Sequence, residues 1–481
     1  MSLPNRKQSD ELEQVPVVKK TDSDGLSLNA WKIIAVVVLG PLMTQMDSTV
    51  VNVSLSTIRH EFQSSIASTQ WIISGYLLAL ALMLPLNGWL VDRLGAKKLY
   101  LGCFSAFTFA SLFCGAARTI NELIGARIIQ GMAGGLLVPL TQMMMAKVAG
   151  KHMARAIGYA AVPVLLAPIL GPVLAGVILK YASWSWLFYI NLPVGVLAVS
   201  MAAFILPTDE VIAKKIPFDF LGFLLISPGL ACFLYGFEQA SHDKGFTFLI
   251  AGLILLFAFA WHANKHKTNA LINIDLFKNR IFTTATITQF FANGIMYAGQ
   301  FLIPLYLTTG CGLTAERAGW LLAPMGIGML CVYPFMGFLT DKFGCRAITC
   351  GGVFFNFLGT LPFLWMANNY FLPTIALFCL FLRGIGQGAT GIPVLSAAYA
   401  SVPKNQLGFA ATAMNIVQRL GGPIATTVIA IVMSLSAKYL PVTGSRAFLI
   451  PFVALLGFQL LVLSSALFLP LHMSPNSKDI S

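Results

Sequence analysis

Asp47 is the one acidic residue that lies well inside an apolar run; Glu122, Asp219 and Glu316 stand at the ends of such runs. An ionised carboxylate away from water is expensive, and desolvation favours the neutral form of a carboxyl group. A carboxyl in that position is therefore suited to taking up a proton. Three guanidinium groups are interior as well: Arg127, Arg383 and Arg419. Arginine stays protonated in proteins, so none of them can carry the proton itself. Each can hold a carboxylate and release it once that carboxylate is neutralised. Arg127 is the only basic residue inside the helices of the first half, which makes it the natural partner of Asp47. The pair is expected to be electrostatically coupled. A structural hydrogen bond or cation recognition without proton transfer at Asp47, and a fixed contact to a carbonyl at Arg127, are the alternatives that spacing leaves open.

Polar side chains also recur along otherwise apolar helices. Gln45, Ser48 and Asn52 flank Asp47. Gln289, Asn293, Tyr297 and Gln300 fall on one helical face, with Phe290, Phe291 and Phe301 beside them. Arg383, Gln387 and Thr390 form a second stripe, and Asn415, Gln418 and Arg419 a third. Such stripes face protein or water rather than lipid. They are candidate solute contacts, or interhelical hydrogen bonds. Aromatic faces suit flat apolar molecules and cations, whereas Arg383 and Arg419 suit an anion. No nucleophile–base pair, metal-ligand spacing or G-x-x-x-x-G-K-[ST] run accompanies them. The expectation is a protein that is not an enzyme and needs no metal or cofactor, driven by a gradient rather than by nucleotide hydrolysis.

The elements that must position these residues follow from composition. Of 481 residues, 57% are hydrophobic and 10% charged, with a mean hydropathy of +0.78. A soluble domain carries about 25% charged residues. Stretches such as Leu77–Leu86, Phe104–Phe113 and Phe248–Ala260 contain no charge. Continuous apolar runs of about 20 residues are the length a membrane-crossing helix needs, and their lack of alternation excludes barrel strands. The sequence predicts an all-α membrane protein of fourteen helices, the first at 31–55 and the last at 446–470. The net charge of +13 raises nucleic acid as a partner, but its distribution speaks against that. With the N-terminus in the cytoplasm, 21 of the 31 Lys and Arg fall on the inner side and 7 on the outer, with 3 inside helices. That is the bias expected of a membrane protein with both termini cytoplasmic. The polar segments 1–29 and 472–481 read as cytoplasmic tails, with no signal peptide at the start. The eight cysteines form no C-x-x-C pair and read as packing residues.

The chain repeats itself. Gly88-Trp-Leu-Val-Asp92-Arg93-Leu-Gly95-Ala-Lys97 matches Gly337-Phe-Leu-Thr-Asp341-Lys342-Phe-Gly344-Cys-Arg346, with the two Asp 249 residues apart. Arg127-Ile-Ile-Gln-Gly131 is echoed by Arg383-Gly-Ile-Gly-Gln387 at an offset of 256. Nearly equal offsets imply a six-helix unit used twice, at 30–206 and 271–471, with two extra helices in the segment 207–270.

These features resemble the major facilitator superfamily, and in particular its fourteen-span drug:proton antiporter branch. Met46-Asp47-Ser48-Thr49-Val50-Val51-Asn52-Val53-Ser54-Leu55 is similar to that branch's helix-1 signature, and 88–98 to the superfamily's signature loop. Leu123-x-x-x-Arg127-x-x-Gln130-Gly131 resembles its helix-4 motif, and Gly171-Pro172-Val-Leu-Ala175-Gly176 the antiporter motif, with Ala175 where Gly is usual. The resemblance implies a monomeric exporter of small amphipathic or hydrophobic compounds in a bacterial inner membrane, exchanging them for protons by alternating access. It implies proton coupling at Asp47 and Arg127, and a conformational latch at Gly88, Asp92, Arg93, Gly95, Asp341 and Lys342. Pro168, Gly171, Pro172 and Gly176 would bend helix 5 into a gate. Solute contacts would come from Gln45, Asn52, Gln130 and the stripes of the second half, with solute and proton competing for overlapping groups. Export of one specific metabolite, or a non-transporting sensor on the same fold, are the alternatives.

Overall fold

The computed structural model describes residues 26–208, 217–238, 243–266, 271–439 and 444–471. The expected tails, and Lys214, Lys215 and Lys267 of the charge count, lie outside these residues, apart from 26–29. There the helix starts earlier than expected: Ser27 accepts a hydrogen bond from the Ala30 amide and caps a helix that begins at Leu28.

Among the described residues all regular structure is helical, and fourteen helices are long and apolar enough to cross a membrane. Spans 1 to 6 are Leu28–Glu61, Ser68–Leu94, Ala96–Ala116, Ile120–Ala149, Met153–Tyr181 and Trp186–Ile205. Spans 7 and 8, Phe220–Phe237 and Gly245–His266, form the insert. Spans 9 to 14 are Arg280–Gly310, Glu316–Phe343, Cys345–Asn368, Pro373–Ala400, Lys404–Ser436 and Gly444–Ala466. The two sets of six form two bundles, as the repeat implies. Spans 7 and 8 pack on each other, and span 7 leans on span 2. There Trp71 stacks on Tyr235 and the Ser227 hydroxyl donates to the Leu82 carbonyl at 2.8 Å.

Local chemistry sets the boundaries. Thr119 accepts from the Glu122 amide, and the Glu122 carboxylate accepts from the Arg118 amide, so two orphan donors at the start of span 4 are satisfied together. Thr314 caps span 10 and Asn279 caps span 9 in the same manner. Gly95 and Gly344, both at φ 84°, each end one span and begin the next, a left-handed turn that favours glycine. Beyond each turn the last basic residue of the repeated motif ties off a distant helix end. Lys97 Nζ donates to the Leu206 carbonyl at 2.7 Å, and Arg346 Nε to the Leu469 carbonyl at 2.6 Å. The sequence repeat is thus a repeat of contacts.

In lipid, helices associate through close packing rather than water exclusion, so small residues at crossings matter. A Cβ on Gly131 would stand 2.4 Å from the Tyr76 carbonyl oxygen, and one on Gly135 2.4 Å from that of Leu80. Spans 2 and 4 therefore meet backbone to backbone. In the second bundle Gly384 meets the Met325 carbonyl and Gly328 that of Phe381, joining spans 10 and 12 equivalently. We expect Gly131→Leu to destabilise the protein by about 3 kcal/mol or to prevent its folding. Gly125→Leu, with no neighbour within 4 Å, should leave the melting temperature in detergent unchanged.

Candidate functional site

Asp47 and Arg127 meet. Arg127 Nη1 donates to Asp47 Oδ2 at 2.5 Å, and both side chains are buried. Asp47 Oδ1 accepts from Gln130 Nε2 at 2.9 Å and from Asn191 Nδ2 at 2.8 Å. Arg127 also donates through Nη1 to Gln130 Oε1 at 2.6 Å and through Nε to the Ile72 carbonyl at 3.3 Å. The Ser111 hydroxyl accepts from Gln130 Nε2 at 2.8 Å. The guanidinium lies over the Tyr76 ring, 4.1 Å from its centre. Spans 1, 2, 3, 4 and 6 each contribute to this cluster. Ile72, Tyr76 and Phe188 flank the guanidinium and belong to or adjoin buried apolar clusters, which keeps the local dielectric low and the ion pair strong.

The chemistry of the cluster follows from its donors. Every group bonded to the carboxylate donates to it: Arg127 to Oδ2, and Gln130 and Asn191 to Oδ1, which leaves one acceptor site on Oδ2 open. A proton on Asp47 would remove the charge that draws Arg127 to it. Arg127 keeps Gln130, the Ile72 carbonyl and the Tyr76 ring as holds when Asp47 lets go.

A separate cavity of about 230 Å³ lies between the bundles. Gln142, Ile157 and Ala161 line it from the first bundle; Gln289, Asn293, Asn356, Gln387, Thr390 and Gln418 supply polar groups from the second. Tyr333 and Met329 close another side. Of the expected solute contacts, Gln289, Asn293, Gln387 and Gln418 come together here. Gln130 instead belongs to the Asp47 cluster. Gln45, Asn52 and Gln300 are exposed, and Tyr297 packs against Gly422 of span 13. Arg383 is buried one turn from Gln387, its Nη1 donating to the Thr360 hydroxyl. Asn415 turns to Gln142: its Nδ2 and the Tyr399 hydroxyl both donate to Gln142 Oε1 at 2.7 Å. None of Asp47, Arg127 and Gln130 lines this cavity. Gln130 and Gln142 are about 18 Å apart along span 4 at 1.5 Å per residue. The Asp47 cluster and this cavity share span 4 rather than side chains.

The repeated loops lie where the bundles touch. Gly88 packs on the Phe409 ring, Gly158 on the Tyr333 carbonyl, and Gly337 on Arg155. Asp341 forms an ion pair with Arg155, Oδ2 to Nε 2.8 Å, with His152 Nδ1 at 3.7 Å. Asp92, half-buried, is engaged as well. Arg93 sits over the Trp89 ring and Lys342 over Phe338 and Phe343. In span 5, Gly171 packs on Thr49 of span 1, while Pro168, Pro172 and Gly176 are exposed. The expected gate helix therefore touches its own bundle at Gly171 and the other bundle at Gly158.

The sequence matches the Major Facilitator Superfamily over residues 37–426. The chain belongs to that superfamily. Within it, the chain is 33% identical over 420 residues to "Multidrug resistance protein B homolog" of Mycobacterium tuberculosis, covering 85% of this chain and 77% of that one. It is 32% identical over 320 residues to "Putative multidrug resistance protein MdtD" of Yersinia pestis, covering 65% and 68%. The fold is shared with a double-tryptophan mutant of XylE (TM-score 0.63, 14% identity, covering 92% of this chain and 96% of that one). It is shared also with the human organic anion transporter MFSD10 (0.62, 16%, covering 91% and 99%). This major facilitator protein is an integral membrane secondary transporter and not an enzyme.

Four polar members of the sites escaped sequence reasoning: Asn191, Ser111, Gln142 and Asn356. Asn191 is the one side-chain amide of span 6, and that was the available signal; Ser111 shares span 3 with Ser105 and Thr108 and carried none. Gln142 lies three turns beyond Gln130 on span 4, but only the second bundle shows what it bonds. We expect Asp47→Asn and Arg127→Gln each to destabilise the protein by about 3–5 kcal/mol, because each strands a buried charge or donor. The double variant should lose less than the sum, with a coupling of about 1 kcal/mol or more in a denaturant cycle in detergent.

Proposed function

We propose that this transporter exports small amphipathic or hydrophobic compounds in exchange for protons by alternating access, with Asp47 as the proton site. The observation that carries the reading is the closed Asp47–Arg127–Gln130–Asn191 cluster, a charged network that one proton would rearrange. Two similar proteins whose names include multidrug resistance support the solute class. The charge bias supports cytoplasmic termini in a bacterial inner membrane. On that orientation the loops at 88–98 and 337–346 face the cytoplasm. The contacts of Gln142 with Tyr399 and Asn415, and of Arg155 with Asp341, then close the cytoplasmic side. Asp47 protonation releases Arg127, span 4 shifts, and Gln142 at its far end carries that shift to the contact between bundles. Coupling travels through span 4 as a packed rigid element.

The amide-rich cavity favours a second reading, export of one polar metabolite. Six Asn and Gln side chains line it, and such groups reject solutes that cannot pair with them. Broad competition among unrelated solutes supports the first reading; one tightly bound solute supports the second.

In proteoliposomes, an inward-directed proton gradient should drive solute movement with stoichiometric proton flux in the wild type, and Asp47→Asn should abolish both. Solute flux that continues in Asp47→Asn at the wild-type rate and with the same proton dependence would refute the assignment. Gln142→Leu removes the acceptor of two bonds between bundles. It should raise maleimide labelling of a cysteine at position 391, applied from the side of the Asp92 loop, by severalfold over the same cysteine in the parent.

A further inference from the structure

The second bundle holds a buried cation with no acid to match it. Arg383 repeats Arg127, and it is 1% exposed. Where Asp47 stands opposite Arg127, the second bundle has Gly299. The offset is 252, between the two offsets of the sequence repeat. A Cβ on Gly299 would lie 2.4 Å from Arg383 Nη2, so the guanidinium rests against the bare backbone at that place. A Cβ on Gly359 would meet the Arg383 stem at 2.7 Å, so a second glycine shapes the slot. Among the described residues no carboxylate pairs with Arg383. Its Nη1 is spent on the Thr360 hydroxyl, and its Nε has no partner.

The surroundings carry the same signature. Thr360 accepts from Gln459 Nε2 at 2.7 Å and donates to the Asn356 carbonyl at 2.8 Å. Gln459 Oε1, Asn356 Oδ1 and Gln289 Oε1 are buried and unpaired, as is Gln387 Nε2. Asn356, Gln289 and Gln387 line the cavity between the bundles. Buried polar groups are normally satisfied, and unpaired ones cluster where a ligand or water completes them. The unpaired donors are a guanidinium and an amide; the unpaired acceptors are three amide oxygens. An anionic group beside a hydroxyl or N–H complements both sets.

We propose that Arg383, packed against Gly299 and Gly359 and joined through Thr360 to Asn356 of the cavity wall, is an anion site beside that cavity. It takes the carboxylate of a small organic acid whose hydroxyl or N–H groups meet Asn356, Gln459 and Gln289. The inference deepens the export reading above by naming its solute class, and it rests on that reading only for what happens after binding. The three guanidinium groups inside the spans face one acid, Asp47, and Arg127 already holds it. An anionic solute completes the charge balance of the interior, whereas a cationic one adds to the imbalance. A free inorganic anion such as chloride offers the same charge without the flanking donors.

The test is calorimetric binding to the full-length protein in detergent, in chloride-free buffer. The probes are 4-hydroxybenzoate, its uncharged match 4-hydroxybenzamide, and sodium chloride. The wild type should bind 4-hydroxybenzoate saturably and the amide at least about tenfold more weakly, the loss of one charge-assisted hydrogen bond. Arg383→Gln should remove that preference. Gly299→Asp, which supplies an internal carboxylate where the first bundle has Asp47, should remove it in a protein that keeps its wild-type melting temperature or exceeds it. Chloride that binds saturably and displaces 4-hydroxybenzoate supports the anion site and makes the inorganic ion a competing occupant. Equal binding of acid and amide, binding of neither anion, or acid binding that survives both substitutions overturns the proposal. Asp47→Asn separates this claim from the export reading. Acid binding retained there, with proton coupling lost or never present, bears on Asp47 alone.

Discussion

A carboxylate and a guanidinium placed together in the interior of a helical bundle constrain everything around them. Neither Asp47 nor Arg127 can be left alone there, since a buried unpaired charge destabilises a protein by several kcal/mol. The cluster of Gln130, Asn191 and Ser111 satisfies the hydrogen-bonding groups that the ion pair leaves over. That requirement fixes the rotation of spans 1, 3, 4 and 6 about their axes. With Asp47 as the proposed proton site, neutralising it would undo the reason the groups converge.

The rest of the first bundle is built to hold span 4 in place. Gly131 and Gly135 bring it against the backbone of span 2, immediately beyond Arg127 and Gln130. At its far end Gln142 takes two hydrogen bonds from the second bundle. One helix therefore carries Arg127, the partner of Asp47 on span 1, and a contact between bundles. The second bundle repeats the glycine packing and the buried arginine, but replaces the acid by glycine. The duplication has kept the scaffold and let the charge pairing diverge, which gives the two halves different chemistry.

Much of this was legible in the sequence, for physical reasons. Apolar runs without charge have one solution in a bilayer, so fourteen helices could be counted from composition. The repeated G-x-L-x-D motif marked the two bundles because its glycine and its basic residue perform the same turn and the same tie in each. Asp47 and Arg127 stood out because charge inside a span is rare enough to be conspicuous. What stayed hidden depends on rotation and distance. Gln45 and Asn52 are near Asp47 in sequence yet exposed, while Asn191 is 144 residues away and bonded to it. Asn415 read as a solute contact, and its amide is taken by Gln142 across the bundle interface. A helical stripe shows that a face is polar without showing which helix it meets.

The central claim is that Asp47 takes up a proton and that this loosens its hold on Arg127. Infrared difference spectroscopy on the purified protein, titrated from alkaline to acid, reads the carboxyl directly. The expected result is a protonated-carboxyl C=O band that grows on acidification, together with a change in the guanidinium modes, both missing in Asp47→Asn. A spectrum in which Asp47→Asn removes no carboxyl band, or in which the guanidinium modes stay fixed while the band grows, would contradict the account.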